Sequence, residues 1–181
     1  MSGRPLRADA ARNRDKVLRV AYETFAAEGL GVPIDEIARR AGVGAGTVYR
    51  HFPTKDLLFQ AIVRDRVGQL TDAARALAAE EPGEAVYHFL RLMVDEAAVD
   101  QGLVDALAGI GIDLSVVLPE AERAFLDVLA DLVGRAQRAG AMRSDVDVMD
   151  VKALMVGLQA MRRYRGDIDK AFQVVRDGLT P

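Results

Sequence analysis

The side chains best suited to chemistry lie close together in the N-terminal third of the chain. They supply hydroxyl, phenol, guanidinium, imidazole and ammonium groups, from Thr47, Tyr49, Arg50, His51 and Lys55. Ala45 and Gly46 precede them, and such small residues let a helix enter a DNA major groove about 12 Å wide. Arg50 can donate to guanine or to phosphate, whereas the other four groups suit phosphate and sugar contacts. These seven residues therefore predict recognition of double-stranded DNA.

The sequence contains no comparable motif for catalysis, metal binding or redox chemistry. The chain has no cysteine and only two histidines, His51 and His88, which are too few for a typical zinc site. None of its three serines lies in the Gly-x-Ser-x-Gly pattern of a nucleophile elbow. A dinucleotide-binding loop follows a strand and reads Gly-x-Gly-x-x-Gly. Counted from Gly42, this pattern requires a glycine at position 47, where the chain has Thr47, and no strand is predicted before it. We expect no catalytic residues, no metal and no cofactor, and hence a protein that is not an enzyme.

The charge distribution agrees with a local nucleic-acid site. The net charge is −3, but residues 1–55 carry ten Lys/Arg and six Asp/Glu, whereas residues 56–181 carry fourteen and twenty-one. The N-terminal part is thus +4 and the rest −7, as expected for a basic DNA-binding head on an acidic body. No uncharged apolar run approaches the roughly 18 residues of a membrane span, so no membrane contact and a cytoplasmic location are expected.

The elements that must position the site are predicted to be helices, since no stretch alternates apolar and polar residues like a strand. A first helix is expected over about 10–28, a second over about 34–41 and a third from Ala45 to Phe52. Pro53 should end the third helix, and Thr54 should cap a long fourth helix. Val48 and Phe52 should pack inward, which leaves the polar face of the third helix free. Further helices are expected over about 84–99, 102–110, 119–140, 146–165 and 168–179.

Three motifs here resemble signatures of the TetR family of transcriptional regulators. They read Ile-Ala-x-x-Ala-Gly-Val at 37–43, Gly-Thr-x-Tyr-x-His-Phe at 46–52 and Lys-Asp-x-Leu at 55–58. The resemblance covers roughly residues 12–62, and beyond it only the helical layout and the length are similar. It implies phosphate contacts for Thr47, Tyr49, His51 and Lys55, and positions near base edges for Ala45, Gly46 and Arg50.

One position departs from the family. Many members have Ser or Thr just after the Ala-Gly-Val turn, where this chain has Gly44 and Ala45. A hydroxyl cap contributes about 1 kcal/mol to a helix, so the third helix should lack that stabilisation.

The resemblance also implies an architecture and a function. The fold would be all-α, with an N-terminal three-helix helix-turn-helix head (1–55, with a basic arm over 1–9). A long helix would join it to a C-terminal helical ligand-binding and dimerisation body (56–181). The protein would be a homodimeric repressor of a pseudo-palindromic operator, released by a largely apolar small-molecule inducer.

Two apolar stripes are the expected dimerisation surfaces. One comprises Phe125, Val128, Leu129, Leu132 and Ala136, and the other comprises Val151, Leu154, Met155, Leu158 and Met161. Because the second helix is apolar over a wide arc, it should face the core on one side and a partner on the other.

The candidate ligand-binding residues combine aromatic or flexible bodies with a few polar tips, a composition that suits apolar ligands. They are Tyr87, His88, Phe89, Met93, Phe125, Met155 and Tyr164. An ordinary hydrophobic core is the competing interpretation for each of them. Two other functions stay open at this point: a helical small-molecule binding protein with a vestigial DNA head, and a transcriptional activator.

Overall fold

The computed structural model describes the backbone of residues 3–108, 119–161 and 167–181, and the side chains of 11–96, 119–161 and 167–181. Eight helices occupy these ranges: α1 (Gly3–Glu28), α2 (Ile34–Ala41), α3 (Ala45–His51), α4 (Lys55–Glu80), α5 (Ala85–Ala108), α6 (Pro119–Arg138), α7 (Val148–Met161) and α8 (Ile168–Leu179). The predicted all-α fold, with a helix-turn-helix near the N-terminus and a helical body after it, is confirmed.

Two helices are longer than the sequence predicts. Helix α1 begins at Gly3, so most of the predicted arm is helical. Pro5 lies in its first turn, where a missing N–H group costs no hydrogen bond. Helix α5 continues through the break predicted between Val99 and Gly102. One glycine inside a helix costs about 1 kcal/mol, which is too little to end it; the predicted end at Ile110 lies outside the described residues.

The described residues form two compact units. The first, here called the head, comprises the described parts of Met1–Arg66 and Val99–Pro119. The second, here called the body, comprises those of Val67–Ala98 and Glu120–Pro181. Helix α4 therefore contributes its first twelve residues to the head and the remainder to the body.

The head is built on the inward faces of its helices. The sequence predicts an inward stripe on α1 of Val17, Leu18, Ala21, Tyr22 and Phe25; all are buried except Tyr22, which is half-buried. Helix α2 buries all four of its apolar positions, as predicted. The core residues of α1 to α3 and of the start of α4 include Val17, Leu18, Ala21, Phe25, Ile34, Ile37, Ala38, Ala41, Val48, Phe52, Leu58 and Ile62. Leu57, which the sequence predicts to pack into the head, is instead 44% exposed, because Leu58 and Phe59 occupy the inward side of this turn.

The body has its own core, formed by α5, α6 and α7 with parts of α4 and α8. The Tyr87 hydroxyl donates to the Ala141 carbonyl oxygen at 2.8 Å, in the loop between α6 and α7. The Arg176 guanidinium of α8 lies 5.1 Å from the Tyr87 ring and donates to Glu84 at 2.6 Å. No described helix combines the length and the apolar character that a membrane-spanning segment requires.

Candidate nucleic-acid interface

Helix α3 has one buried and one exposed side, as its sequence predicts. Val48 and Phe52 are 1% and 4% exposed and hold the helix against the head. Tyr49 is 44% exposed, and Arg50 and His51 are also on the surface. The described part of the chain offers no ion-pair partner to Arg50, while the His51 ring packs at 6.1 Å from the Phe52 ring. An aromatic, a cation and an imidazole thus share one accessible surface.

The N-terminal end of α3 has no side-chain cap. Gly44 occupies the N-cap position in an extended conformation (φ −67°, ψ 138°), and no side chain caps the helix. The amide of Thr47 donates to the Gly44 carbonyl oxygen at 2.8 Å, which closes the first turn. Gly46 is exposed, while Ala45 and Thr47 are half-buried. The predicted absence of a hydroxyl cap is therefore confirmed, and a Cβ atom built at Gly46 would have no described neighbour within 4 Å.

A left-handed residue makes the turn from α2 into α3. Gly42 has φ +63°, and the amide of Val43 donates to the Ala38 carbonyl oxygen at 3.0 Å. A Cβ atom at Gly42 would lie 3.4 Å from the Lys16 ammonium, so this cation of α1 sits beside the turn. Sequence reasoning did not include Lys16 in the site. The only sequence feature that could have placed Lys16 near the site is its position next to Val17, which faces the core.

The cations of α2 are paired with carboxylates. Arg39 and Arg40 each donate to Glu36 at 2.7 Å, and Arg40 also pairs with Glu28 at the end of α1. These hydrogen bonds lower the pKa of Glu36 to about 2, with the Arg39 bond as the larger cause. The pKa of Glu28 is lowered too, chiefly by its bond to Arg40. This network links α1 to α2, so Arg39 and Arg40 serve the head's structure.

Lys55 begins α4, and Thr54 before it caps the helix by accepting from the Leu57 amide at 3.2 Å, as predicted. The Lys55 ammonium donates to the Leu30 carbonyl oxygen at 2.6 Å and lies 5.9 Å from the centre of the Phe25 ring. The structure therefore brings six of the seven predicted DNA-binding residues onto α3 itself and turns the seventh toward the end of α1.

The candidate ligand-binding residues of the body are only partly brought together. Phe89, Met93 and Met155 are buried in one core cluster, and Phe125 is half-buried against it, with its ring 6.2 Å from that of Phe89. Tyr87 is buried with its hydroxyl bonded to the loop backbone, and His88 is exposed. Tyr164 lies outside the described residues.

A cleft of about 220 Å³ opens between the body part of α4 and α6. It is lined by Ala74, Arg75, Asp127, Val128, Asp131 and Leu132, and by none of the six described candidates. The described residues contain no group of His, Cys, Asp or Glu side chains suited to a metal ion.

The stripes predicted for dimerisation lie mostly in the body's own core. Leu129, Leu132 and Ala136 of α6 are buried, as are Val151, Met155 and Leu158 of α7. That placement is therefore corrected in large part. Among the described residues of the body, the exposed large apolar side chains are Met149, Leu154, Val156 and Met161 of α7, with Val174 of α8, and only Leu154 and Met161 of these belong to a predicted stripe. Because α7 is apolar on most sides, its sequence does not indicate which face is inward.

Two family models match the chain. Residues 17–62 match the model for bacterial regulatory proteins of the tetR family. Residues 81–181 match the model described as the C-terminal domain of SbtR-like transcriptional regulators. The two matches cover the helix-turn-helix and most of the body.

Solved structures and curated proteins agree with these matches. A TetR transcription regulatory protein from Mycobacterium vanbaalenii is 59% identical, with 98% of this chain and 100% of that chain covered and a TM-score of 0.83. A TetR transcriptional regulator from Streptomyces coelicolor is 35% identical over 93% and 98% of the two chains, with a TM-score of 0.77. An HTH-type transcriptional regulator of Staphylococcus aureus (strain bovine RF122) is 42% identical over 62 residues, 33% of this chain. The match spans only 34% of that regulator's length.

Proposed function

The chain belongs to the TetR family of transcriptional regulators, and on that premise we propose that it is a homodimeric, ligand-responsive repressor. In this proposal each α3 enters the major groove of one half of a pseudo-palindromic DNA operator. A small molecule bound in the body then releases the protein from DNA. The observation that carries the proposal is the exposed polar face of α3 beside a bare helix end.

The DNA contacts follow from the chemistry of that face. Ala45 and Gly46 let the helix end approach the base edges, and Arg50 donates to guanine or to phosphate. Thr47, Tyr49 and His51 bind phosphate oxygens and fix the register of the head on the duplex. Arg50 suits the recognition role because none of the described carboxylates pairs with it, in contrast to Arg39 and Arg40.

Dimerisation is supported by the outer face of the body. Met149, Val156 and Met161 on α7 and Val174 on α8 are between 39% and 64% exposed. Burying such side chains contributes about 25 cal/mol per Å² of apolar surface. A two-fold dimer also doubles the DNA contacts of a short recognition helix and explains a pseudo-palindromic operator.

Release by a ligand is supported by the composition of the body's core. Met93 and Met155 are flexible side chains that can repack around an apolar guest, and Phe89 and Phe125 supply aromatic surface. If such a ligand weakens DNA binding, DNA must weaken ligand binding by the same factor.

The proposal is tested by selecting operators from a random-sequence duplex pool with the full-length protein. We expect the selected sequences to contain an inverted repeat. Sedimentation should show two copies of the chain bound to each duplex. Arg50→Ala and Tyr49→Ala should each weaken operator binding by about 1–3 kcal/mol while circular dichroism stays helical. Arg75→Ala, which removes an exposed body arginine, is the matched control and should bind like the wild type. Failure to select any sequence, or equal affinity for all three variants, would contradict the proposal.

A further inference from the structure

The chain leaves α1, forms α2 and α3, and returns at the start of α4. The side chain of Lys55 connects the two ends of this segment. The Lys55 ammonium donates to the carbonyl oxygen of Leu30, 25 residues earlier, at 2.6 Å. The Lys55 side chain is half-buried and its ammonium lies 5.9 Å from the Phe25 ring centre. Helices α2 and α3 lie between these two residues.

The electrostatics of the two helix ends explain where the ammonium goes. A cation in the first turn of α4 has the wrong sign for the dipole of that helix. Leu30 lies just beyond the C-terminal end of α1, where carbonyl groups carry partial negative charge. The Phe25 ring face adds a second attraction for the cation. All three effects direct Lys55 toward α1 and away from the N-terminal end of its own helix.

From this geometry we propose that Lys55 is a positioning residue, which fastens the end of α1 to the start of α4 and so fixes the orientation of α3. Its contribution to DNA binding is then indirect, in contrast to the phosphate contact that the motif resemblance implies. When the bond is absent, α2 and α3 are held by their apolar faces and by the ion pair of Arg40 with Glu28, which joins α2 to α1 but does not reach α4. The fraction of heads in the binding orientation then falls. The apparent affinity for DNA falls with that fraction. The inference rests on the proposed operator binding.

The test compares Lys55→Met with Lys55→Gln, two neutral variants of similar length that differ in whether they can donate a hydrogen bond. The probe is a duplex selected by the wild-type protein from a random pool. We expect Lys55→Met to bind about tenfold more weakly. Lys55→Gln should regain most of the loss. The slope of log K against log salt should stay at the wild-type value in both, since no phosphate contact is removed. In the free protein, the carbonyl carbon resonance of Leu30 should shift in Lys55→Met and return toward its wild-type position in Lys55→Gln.

A direct phosphate contact gives a different result. Both variants would then lose affinity alike and flatten the salt slope by about 0.9, with the Leu30 resonance unmoved; this outcome overturns the inference alone. A wild type that selects no duplex overturns the proposed function and this inference with it. If Lys55→Met does not fold, as judged by circular dichroism, the salt slope and Leu30 resonance of Lys55→Gln decide between the two roles.

Discussion

The head and the body bury similar kinds of residues, but they differ in what they leave exposed. Helix α3 of the head exposes a phenol, a guanidinium and an imidazole over a buried valine. Helix α7 of the body exposes Met149, Val156 and Met161 while burying Val151, Met155 and Leu158. A polar surface carries its chemistry in the residue types themselves. An apolar surface has the composition of a core, so only the packing shows which side faces outward.

The largest effect should come from the interior of the body. Leu129 is fully buried in its core cluster, and Leu129→Ala should destabilise the body by about 2–5 kcal/mol through the lost contacts and the cavity. Urea denaturation measures this change. Leu57→Ala removes an equal side chain that is 44% exposed in the head, and it should cost under about 1 kcal/mol. Equal costs would contradict the assignment of core and surface.

The next effect concerns the exposed face of α7. Val156 is 52% exposed, and Val156→Asp should weaken the dimer by about 100-fold, because each copy would bury a carboxylate in the proposed interface. Sedimentation equilibrium measures the dissociation constant. Val156→Thr keeps the shape without a charge and should have a much smaller effect. Unchanged dissociation constants for both variants would place the partner surface elsewhere.

The sequence predicts more of the head than of the body, because residue types identify a polar surface whereas only packing identifies an exposed apolar one. Around α3, Gly42, Pro53 and Thr54 act through local backbone geometry, so the turn, the helix end and the cap were predictable from single residues. The inward positions of Val48 and Phe52 follow from helical periodicity. These features depend on neighbours within a few residues.

Contacts between distant residues were not predictable. The Lys55 bond to Leu30 spans 25 residues, and the motif gave no indication that this ammonium is occupied within the head. In the body, Leu129 and Val151 belong to stripes that fit a core and an interface equally well. Choosing between the two requires knowing which helices already cover each face, and periodicity does not contain that information.

Replacing one glycine in the head and one in the body should change the stability by smaller amounts and in opposite directions. Gly42 has φ +63°, a left-handed conformation in which a Cβ atom is strained, so Gly42→Ala should destabilise the head by about 1–2 kcal/mol. Gly68 lies in the body part of α4 with open space around it, so Gly68→Ala should stabilise by about 0.5–1 kcal/mol. Thermal unfolding followed by circular dichroism measures both changes, and a shift of the same sign in both would contradict this explanation.

The smallest effect should appear only in acid, and it concerns the head. The bonds from Arg39 and Arg40 hold the pKa of Glu36 at about 2, below its usual value of 4.5. A carboxyl whose pKa is lowered by folding stabilises the folded state above the unfolded pKa, and that contribution is lost as the pH falls through the folded pKa. The contribution of Glu36 is therefore complete above about pH 5. It should disappear between pH 4.5 and about 2.

This network links two helices of the head, since Arg40 pairs with both Glu36 of α2 and Glu28 of α1. Its loss should therefore loosen α2 against α1. We expect the amides of α2 to exchange faster with deuterium as the wild type is taken from pH 5 to pH 3, after correction for the intrinsic exchange rate. In Glu36→Gln the exchange should already be faster at pH 5 and depend less on pH. Asp35→Asn neutralises the adjacent carboxylate, which makes no ion pair with a described residue, and should keep the wild-type dependence. A wild type whose α2 protection is the same at both pH values would show that apolar packing alone holds α2, because no stabilisation would then be lost with the carboxylate's charge.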